Sequence, residues 1–121
     1  MMKPKNLVIE FYKSDAIINA SLIEKYLHPE IILDWHSSQG FIQMNYDDIL
    51  KLSSDLGRAY VRSKVKISQI LEEGNSVSLR YSHYVKTMEN PREEMLLAHF
   101  FVIWEIKDNL IFRGFQMSQL S

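Results

Sequence analysis

The sequence contains no cysteine, which excludes disulfide bonds within the chain, thiolate nucleophiles and cysteine-ligated metal sites. It also lacks a basic run, because 14 lysine and arginine residues are scattered among 15 acidic ones and leave a net charge of −1. Such a pattern offers no electrostatic footprint for nucleic acid or an anionic membrane. The apolar stretch near the N-terminus is short and broken by Glu10, so we expect neither a secretory signal nor a membrane span. The expected location is the cytoplasm.

The first half of the chain shows helical periodicity. With 121 residues the whole chain, 1–121, is expected to form one domain. Apolar residues recur near the helical period over 6–18 and again over 22–27, where His28-Pro29 should end the second helix. A third helix should follow Asn45, a good N-cap with acidic residues behind it. A short strand is expected over 31–36, with a loop over 37–40.

After Arg62 the apolar residues recur every second position, as they do in strands. Two strands are predicted over 64–71 and 77–86, and two more over 95–119, joined at a turn of Asp108-Asn109 that tolerates left-handed backbone angles. Helices at the front and strands at the back favour an α+β fold, in which three N-terminal helices pack on one face of a curved antiparallel sheet.

The last hairpin is apolar on both faces. Phe100, Val102 and Trp104 alternate with Phe101 and Ile103. Since a sheet face turned to water should be polar, we expect the helices to cover the first face and a second copy of the chain to cover the other. The predicted homodimer interface consists of His99, Phe101, Ile103, Arg113, Phe115 and Met117.

The segment FYKSDAIINASLIEKYLHPEIILDW, the loop glycine Gly40 and the closing WEIKDNLIFRGFQ resemble the nuclear transport factor 2-like superfamily, which includes ketosteroid isomerases and SnoaL-type polyketide cyclases. The resemblance implies a cone-shaped roll, also called cystatin-like, with an apolar cavity open at one end and dimers formed through the outer sheet face. Laid against the ketosteroid isomerase pattern, Asp34 matches the catalytic base, Val102 stands at the proton-donating acid, and Phe11 or Tyr12 lies near the oxyanion-binding tyrosine. A valine cannot donate a hydrogen bond, so the isomerase route is not expected here.

Three residues are candidates for catalysis. Asp34 interrupts an apolar strand, where a carboxylate facing a cavity would have a raised pKa suited to a general base, although a solvated strand end explains it as well. His83 and Tyr81 share the inward alternation of their strand and could orient a ligand or exchange a proton. A buried hydrogen bond that satisfies the core explains these two equally well.

The candidate ligand-binding residues are mostly aromatic, and aromatic residues serve as core at least as often as they line pockets. Gln116 is the polar one, since its amide should face opposite to its two apolar neighbours and thus inward. The set is Trp35, Tyr60, Phe100, Trp104, Phe112 and Gln116. The four histidines show no metal-ligand spacing, so neither a metal nor another cofactor is expected.

Two functions remain open at this point. One is a dimeric domain that binds a small apolar or aromatic molecule, either as a binding module or as a SnoaL-like lyase or isomerase with Asp34 as the base. The other is a non-catalytic protein-interaction or structural domain whose cavity is filled by its own side chains.

Overall fold

The computed structural model describes residues 2–121 and contains three α-helices, one 3-10 turn and six strands. In chain order these are α1 Pro4–Lys13, the 3-10 turn Ala16–Ile18, α2 Ala20–Ile23, β1 Leu27–Ser37, β2 Gly40–Met44, α3 Tyr46–Ala59, β3 Tyr60–Glu73, β4 Ser76–Thr87, β5 Met95–Lys107 and β6 Leu110–Leu120. The α+β class and the packing of N-terminal helices on a curved sheet are confirmed.

The six strands form one sheet in the order β2-β1-β6-β5-β4-β3. All neighbours are antiparallel except β1 and β6, which run parallel, so the sheet is mixed and not purely antiparallel as predicted. The helix α3 and four strands separate β1 from β6 along the chain, which supplies the long connection that a parallel pair requires. Pro29, which lacks an N–H, lies in an irregular stretch of this pairing between Leu27 and Ile32, where no ladder bond is needed.

The early helices are shorter than the periodicity predicted. The first helix ends at Lys13 because the Ser14 hydroxyl donates to the carbonyl of Phe11 and accepts from the amide of Ala16, which redirects the chain into the 3-10 turn. The second helix ends at Ile23, and the residues around His28-Pro29 belong to β1.

The strand β2 was not predicted from the sequence, where its start was read as a loop. It is an edge strand in which four of five residues are exposed, so it shows no alternation of buried and exposed positions. The third helix was predicted correctly: the Asn45 side chain accepts from the amide of Asp48, and the Asp48 carboxylate accepts from the amide of Asn45.

The hairpin of β5 and β6 turns at Asp108 and Asn109, whose φ angles of 55° and 60° are the left-handed values expected for a two-residue turn. Along β5 the exposed fraction alternates between 2% at Val102 and 45% at Ile103, and between 5% at Trp104 and 61% at Phe101. The inner face packs against the helices, and the outer face is open in the single chain. The predicted division of this hairpin into two faces is confirmed.

Gly114 makes room for the Trp104 indole. It lies on β6 between Leu33 of β1 and Trp104 of β5, and a Cβ atom placed on it would come within 2.7 Å of Leu33 Cδ1 and would also overlap the indole ring. Since packed interiors transmit such overlaps to their neighbours, glycine at this position is a packing requirement.

We expect Gly114→Ala to displace the Trp104 ring and to lower the free energy of unfolding by about 1–3 kcal/mol, the usual cost of overpacking a core. Urea unfolding followed by tryptophan fluorescence measures this change. Gln119→Ala on the same strand, where the side chain is exposed, is the control and should be close to neutral. An unfolding midpoint for Gly114→Ala equal to that of the control would contradict this account.

Candidate functional site

A cavity of about 500 Å³ lies between the helices and the inner face of the sheet. Its wall is formed mainly by apolar side chains from α1, α3, β1, β4, β5 and β6. The lining residues that matter below are Tyr12, Trp35, Tyr81, His83, Ala98, Phe100, Trp104, Gln116 and Ser118. The volume falls within the range of pockets that hold small organic molecules.

The cavity opens beside the turn between β1 and β2. Ser38, Gln39 and Gly40 of that turn belong to its lining and are exposed, as are Ile42 on β2 and Leu120 at the end of β6. The edge strand β2 therefore forms part of the rim. Sequence periodicity missed this element, and with it the position of the opening.

The hydroxyl of Tyr12 is a buried polar group of the cavity wall. It accepts a hydrogen bond of 2.8 Å from Nε1 of Trp104, and the Tyr12 and Tyr81 rings lie 4.6 Å apart. Burial raises the pKa of both tyrosines, and the neighbouring Tyr12 adds to the increase at Tyr81. Both hydroxyls are therefore neutral at physiological pH and can act as hydrogen-bond donors.

His83 is the cavity's one imidazole among residues 2–121, and it is 3% exposed. Its Nε2 lies 2.6 Å from Oγ of Ser63 on β3. Desolvation lowers the pKa of His83 to about 4, because the charged imidazolium is disfavoured in this apolar wall. The ring is consequently neutral at pH 7.

Aromatic rings give the cavity a flat wall. The rings of Tyr81 and Phe100 are stacked, with centroids 4.8 Å apart and planes 10° apart, and the Trp35 indole lies 6.2 Å from Phe100. Nε1 of Trp35 donates to Oγ of Ser118 at 2.8 Å, so this indole is held in place. Such a wall favours a planar or ring-containing ligand.

Within residues 2–121, the cavity lining contains no Asp, Glu, Lys or Arg side chain. Its polar contribution comes from hydroxyls, the amides of Gln39 at the rim and Gln116 inside, and the neutral His83 imidazole. A buried charge without a partner is costly, so a ligand that fits this lining should be neutral. In the same range no group of three or more His, Asp or Glu side chains is arranged to hold a metal ion, and no helix is long and apolar enough to span a membrane.

Six of the nine predicted site residues meet in this cavity. They are Tyr81, His83, Trp35, Phe100, Trp104 and Gln116. The alternation of buried and exposed positions along β4, β5 and β6 was sufficient to place most of them, since neighbouring strands in register point their inward residues to the same space.

Tyr60 and Phe112, predicted to bind the ligand, do not line the cavity. Tyr60 is the first residue of β3, directly after α3, and is half-buried. The Phe112 ring packs edge-on against His28 at 4.9 Å, and Nζ of Lys107 lies 4.8 Å from its centroid. An irregularity in the pairing of β5 and β6 between Glu105 and Ile106 interrupts the alternation that would have placed Phe112 inward.

Asp34 lies on the outer face of the sheet, away from the cavity. Its neighbours Leu33 and Trp35 line the cavity, so the alternation of β1 turns Asp34 the other way. Oδ1 of Asp34 accepts a hydrogen bond of 2.9 Å from Nε2 of Gln43 on β2. The structure does not bring this carboxylate together with His83 or Tyr81, the two other candidates for catalysis.

Two relevant residues carried little signal in the sequence. Ser63 precedes the predicted start of its strand and was not recognised as a partner of His83. Tyr12 was considered as an alternative to Phe11, and the structure shows both rings lining the cavity. Ser63 lies two residues before Val65 and so shares its inward face, but an irregularity between Tyr60 and Arg62 and exposed residues at 61 and 62 hide where the strand begins.

No protein-family model matches the sequence, and no curated protein matches it. Solved structures match the fold well at low sequence identity. AusH from Aspergillus nidulans has a TM-score of 0.79 at 11% identity, over 95% of this chain and 82% of that one. IdmH from Streptomyces antibioticus, a candidate polyketide cyclase, has a TM-score of 0.73 at 12% identity, over 97% and 92%.

A protein from Catenulispora acidiphila with a ketosteroid isomerase-like fold, solved in complex with trimethylamine, has a TM-score of 0.71 at 11% identity, over 95% of this chain and 85% of that one. These likenesses confirm the nuclear transport factor 2-like fold that the sequence resemblance implied. At these identities they show the fold and leave the activity to be argued from the site itself.

The low pKa of His83 predicts a pH dependence of stability. The pKa of His83 is near 6.5 in the unfolded chain and about 4 in the folded chain. The stability that depends on a neutral His83 is therefore complete above pH 6.5 and is lost as the pH falls toward 4. When the pH falls from 7 to 5, we expect the titration of His83 to lower the free energy of unfolding by about 2 kcal/mol. Urea unfolding at the two pH values measures the change.

His83→Gln should remove this part of the pH dependence, because the amide does not titrate. His36→Gln, at an exposed position, should retain it and is the matched control. Parallel pH profiles for the wild type and His83→Gln would show that His83 titrates normally in the folded state.

Proposed function

We propose that this protein binds a neutral, largely apolar small molecule in the cavity that contains Tyr12 and His83. The observation that carries the proposal is an open cavity of about 500 Å³ whose lining holds hydrogen-bonding groups and no charged side chain among the described residues. The alternative of a cavity filled by its own side chains is disfavoured by this open volume. Structures with the same fold that are described as a candidate polyketide cyclase or hold trimethylamine support small-molecule binding, while the neutrality of the ligand rests on the lining alone.

The chemistry of the wall defines the ligand class further. Tyr12 accepts from Trp104 and has its own proton available to donate, and Tyr81 lies beside it. An oxygen acceptor on the ligand, such as a carbonyl, matches these donors. The stacked rings of Tyr81 and Phe100 favour a flat ligand body next to that oxygen.

As a lyase or isomerase, the protein would need groups that exchange a proton inside the cavity. We assign this proton exchange to His83 together with Tyr12 or Tyr81, all three of which are uncharged at neutral pH. Asp34 has no part in this assignment, since its carboxylate is bonded to Gln43 on the other side of the sheet. Val102 also faces inward but carries no proton to donate.

We also propose that the outer face of the sheet forms a homodimer. Its centre is apolar and exposed, with Phe101 at 61%, Met117 at 63% and Ile103 at 45%. Nε of Arg113, on this face, is the one buried side-chain nitrogen or oxygen without a hydrogen-bond partner in residues 2–121. A second copy packed on this face would cover the exposed apolar centre.

The charges at the margins of this face indicate how two copies would meet. Asp34 of β1 lies on one side of the apolar centre, and Arg80 of β4 lies on the other, with its guanidinium over Phe101 at 5.9 Å. A two-fold axis parallel to the central strands exchanges these sides. It therefore brings Asp34 of one copy toward Arg80 of the other, and the reverse.

Ligand binding is tested with 2-acetylnaphthalene, a neutral ring system with one carbonyl, and 2-naphthoate, its anionic counterpart. We expect 2-acetylnaphthalene to bind at least about 10-fold more tightly, because the cavity offers no cation to pair with a carboxylate. Quenching of tryptophan fluorescence measures both affinities. Ala98→Phe should abolish binding, since Ala98 is buried in the cavity wall and the larger ring would occupy the space.

The control is Ala59→Phe at the exposed end of α3, which adds the same ring outside the cavity and should leave binding unchanged. Circular dichroism establishes that both variants are folded. Equal affinity of the wild type and Ala98→Phe for 2-acetylnaphthalene would place binding elsewhere, and no binding to the wild type would contradict the proposal.

Dimerisation is tested by reversing the charges of Asp34 and Arg80 at the two margins of the outer face. Asp34→Arg and Arg80→Asp should each weaken the dimer by about 10-fold, because like charges then face each other across the axis. The double variant restores opposite charges and should recover the wild-type affinity. Sedimentation velocity over a range of concentrations measures the dimer dissociation constant.

Arg92→Asp, in the exposed segment between β4 and β5, makes the same charge change away from this face and should leave the dimer intact. A monomeric wild type would reject the interface. A double variant as weak as the two singles would reject the strand-parallel axis.

A further inference from the structure

Two serine–histidine pairs involve β4, and they lie on opposite faces of the sheet. On the inner face, Oγ of Ser63 is 2.6 Å from Nε2 of the buried His83. On the outer face, Oγ of Ser82 is 2.9 Å from Nδ1 of His99, which is exposed. In the inner pair the hydrogen-bonded ring nitrogen of His83 is Nε2. Its other nitrogen, Nδ1, has no hydrogen-bond partner among residues 2–121.

The geometry of the inner pair indicates which group donates. A separation of 2.6 Å is short for a ring N–H donor, for which about 2.9–3.0 Å is usual, and suits a hydroxyl donor. The Ser63 hydroxyl has no other acceptor among residues 2–121, so His83 is where its proton can go. Since the neutral ring carries one proton, acceptance at Nε2 places that proton on Nδ1.

The Nδ1 atom of His83 is in contact with the cavity. Among residues 2–121, Nε of Arg113 is the single fully buried side-chain nitrogen or oxygen that lacks a partner. Nδ1 of His83 also lacks a protein partner, so it cannot be fully buried, and the open space beside this residue is the cavity. An N–H group in that position is free to bond to a ligand.

We propose that Ser63 is a positioning residue that holds His83 in the Nδ1-protonated form, so that this wall of the cavity presents an N–H donor. The role of the donor rests on the proposed function of the cavity, whereas the state of the ring is a property of the free protein. The ligand then requires a second acceptor oxygen at this wall, in addition to the one that faces Tyr12. Carbonyl, quinone and ether oxygens meet this requirement.

The test of the ring state is a long-range ¹H–¹⁵N correlation spectrum of the imidazoles in the unliganded protein at pH 7. We expect the wild type to show His83 protonated at Nδ1 and unprotonated at Nε2. Ser63→Ala should abolish this preference and let the two neutral forms exchange, and Ser63→Thr, which keeps the hydroxyl, should restore it. Ser82→Ala should alter the His99 signals and leave those of His83 unchanged.

A wild-type ring protonated at Nε2, or a Ser63→Ala spectrum identical to that of the wild type, would overturn the proposal. These readouts need no ligand and hold even if the cavity binds nothing. Thermal denaturation establishes that each variant is folded at the temperature of the spectra. A change in the His83 signals of a folded variant then cannot be the result of unfolding.

The effect on binding is measured with 2,6-diacetylnaphthalene and 2-acetylnaphthalene, which differ by a second carbonyl. The wild type should prefer the diketone, and Ser63→Ala should reduce that preference by about 3- to 10-fold, the usual range for one neutral hydrogen bond. Ser63→Thr and Ser82→Ala should keep it. An unchanged preference in Ser63→Ala would contradict a role for the His83 N–H in holding a second acceptor oxygen.

Discussion

The hydrogen bond between the Trp104 indole and the Tyr12 hydroxyl joins the two ends of the chain. Tyr12 belongs to the first helix and Trp104 to the strand of the last hairpin, and both groups are buried, so neither can turn to water if the bond is broken. A lost partner would leave a buried donor or acceptor unsatisfied, at a cost of about 1–3 kcal/mol. Gly114 belongs to the same arrangement, since the indole occupies the space that a side chain there would need.

This bond also determines the chemistry of the cavity. By accepting from Trp104, the Tyr12 oxygen uses a lone pair within the protein and keeps its proton for the cavity. Burial in the same apolar environment keeps both tyrosines and His83 uncharged at neutral pH, through a raised pKa for the former and a lowered one for the latter. The polar groups that line the cavity are therefore uncharged at neutral pH and act through hydrogen bonds.

Much of the fold could be predicted from the sequence because its strongest signals are local. The alternation of β5, the Asp108-Asn109 turn and the N-cap at Asn45 each depend on neighbouring residues, and each was confirmed. The parallel pairing of β1 with β6 depends on residues far apart in sequence, which no local pattern indicates. The strand β2 pairs with the adjacent β1 but is an exposed edge strand, so it lacks the alternation that predicts a strand.

The candidate site divides in the same way. Residues on regularly paired strands were placed correctly, while Phe112 was misplaced by an irregularity in pairing that a sequence pattern does not reveal. Asp34 is a different case: its place between two apolar residues was visible, but whether the carboxylate or its two neighbours face inward was not. A one-residue choice of register exchanges the two faces of a strand, and for β1 that choice is made by tertiary contacts.

The exclusion of charge from the inner face makes the two faces of the sheet chemically distinct. On β1 and β4 the charged residues Asp34 and Arg80 lie outward, next to an apolar centre, while Trp35 and His83 on the same strands lie inward. A charge on the inner face would require a partner that the described lining does not contain, whereas a charge on the outer face can meet its opposite on another molecule. The side of the sheet on which a carboxylate lies therefore decides which molecules it can contact. Asp34 lies on the outer face, where it can contact a second molecule but not a ligand in the cavity.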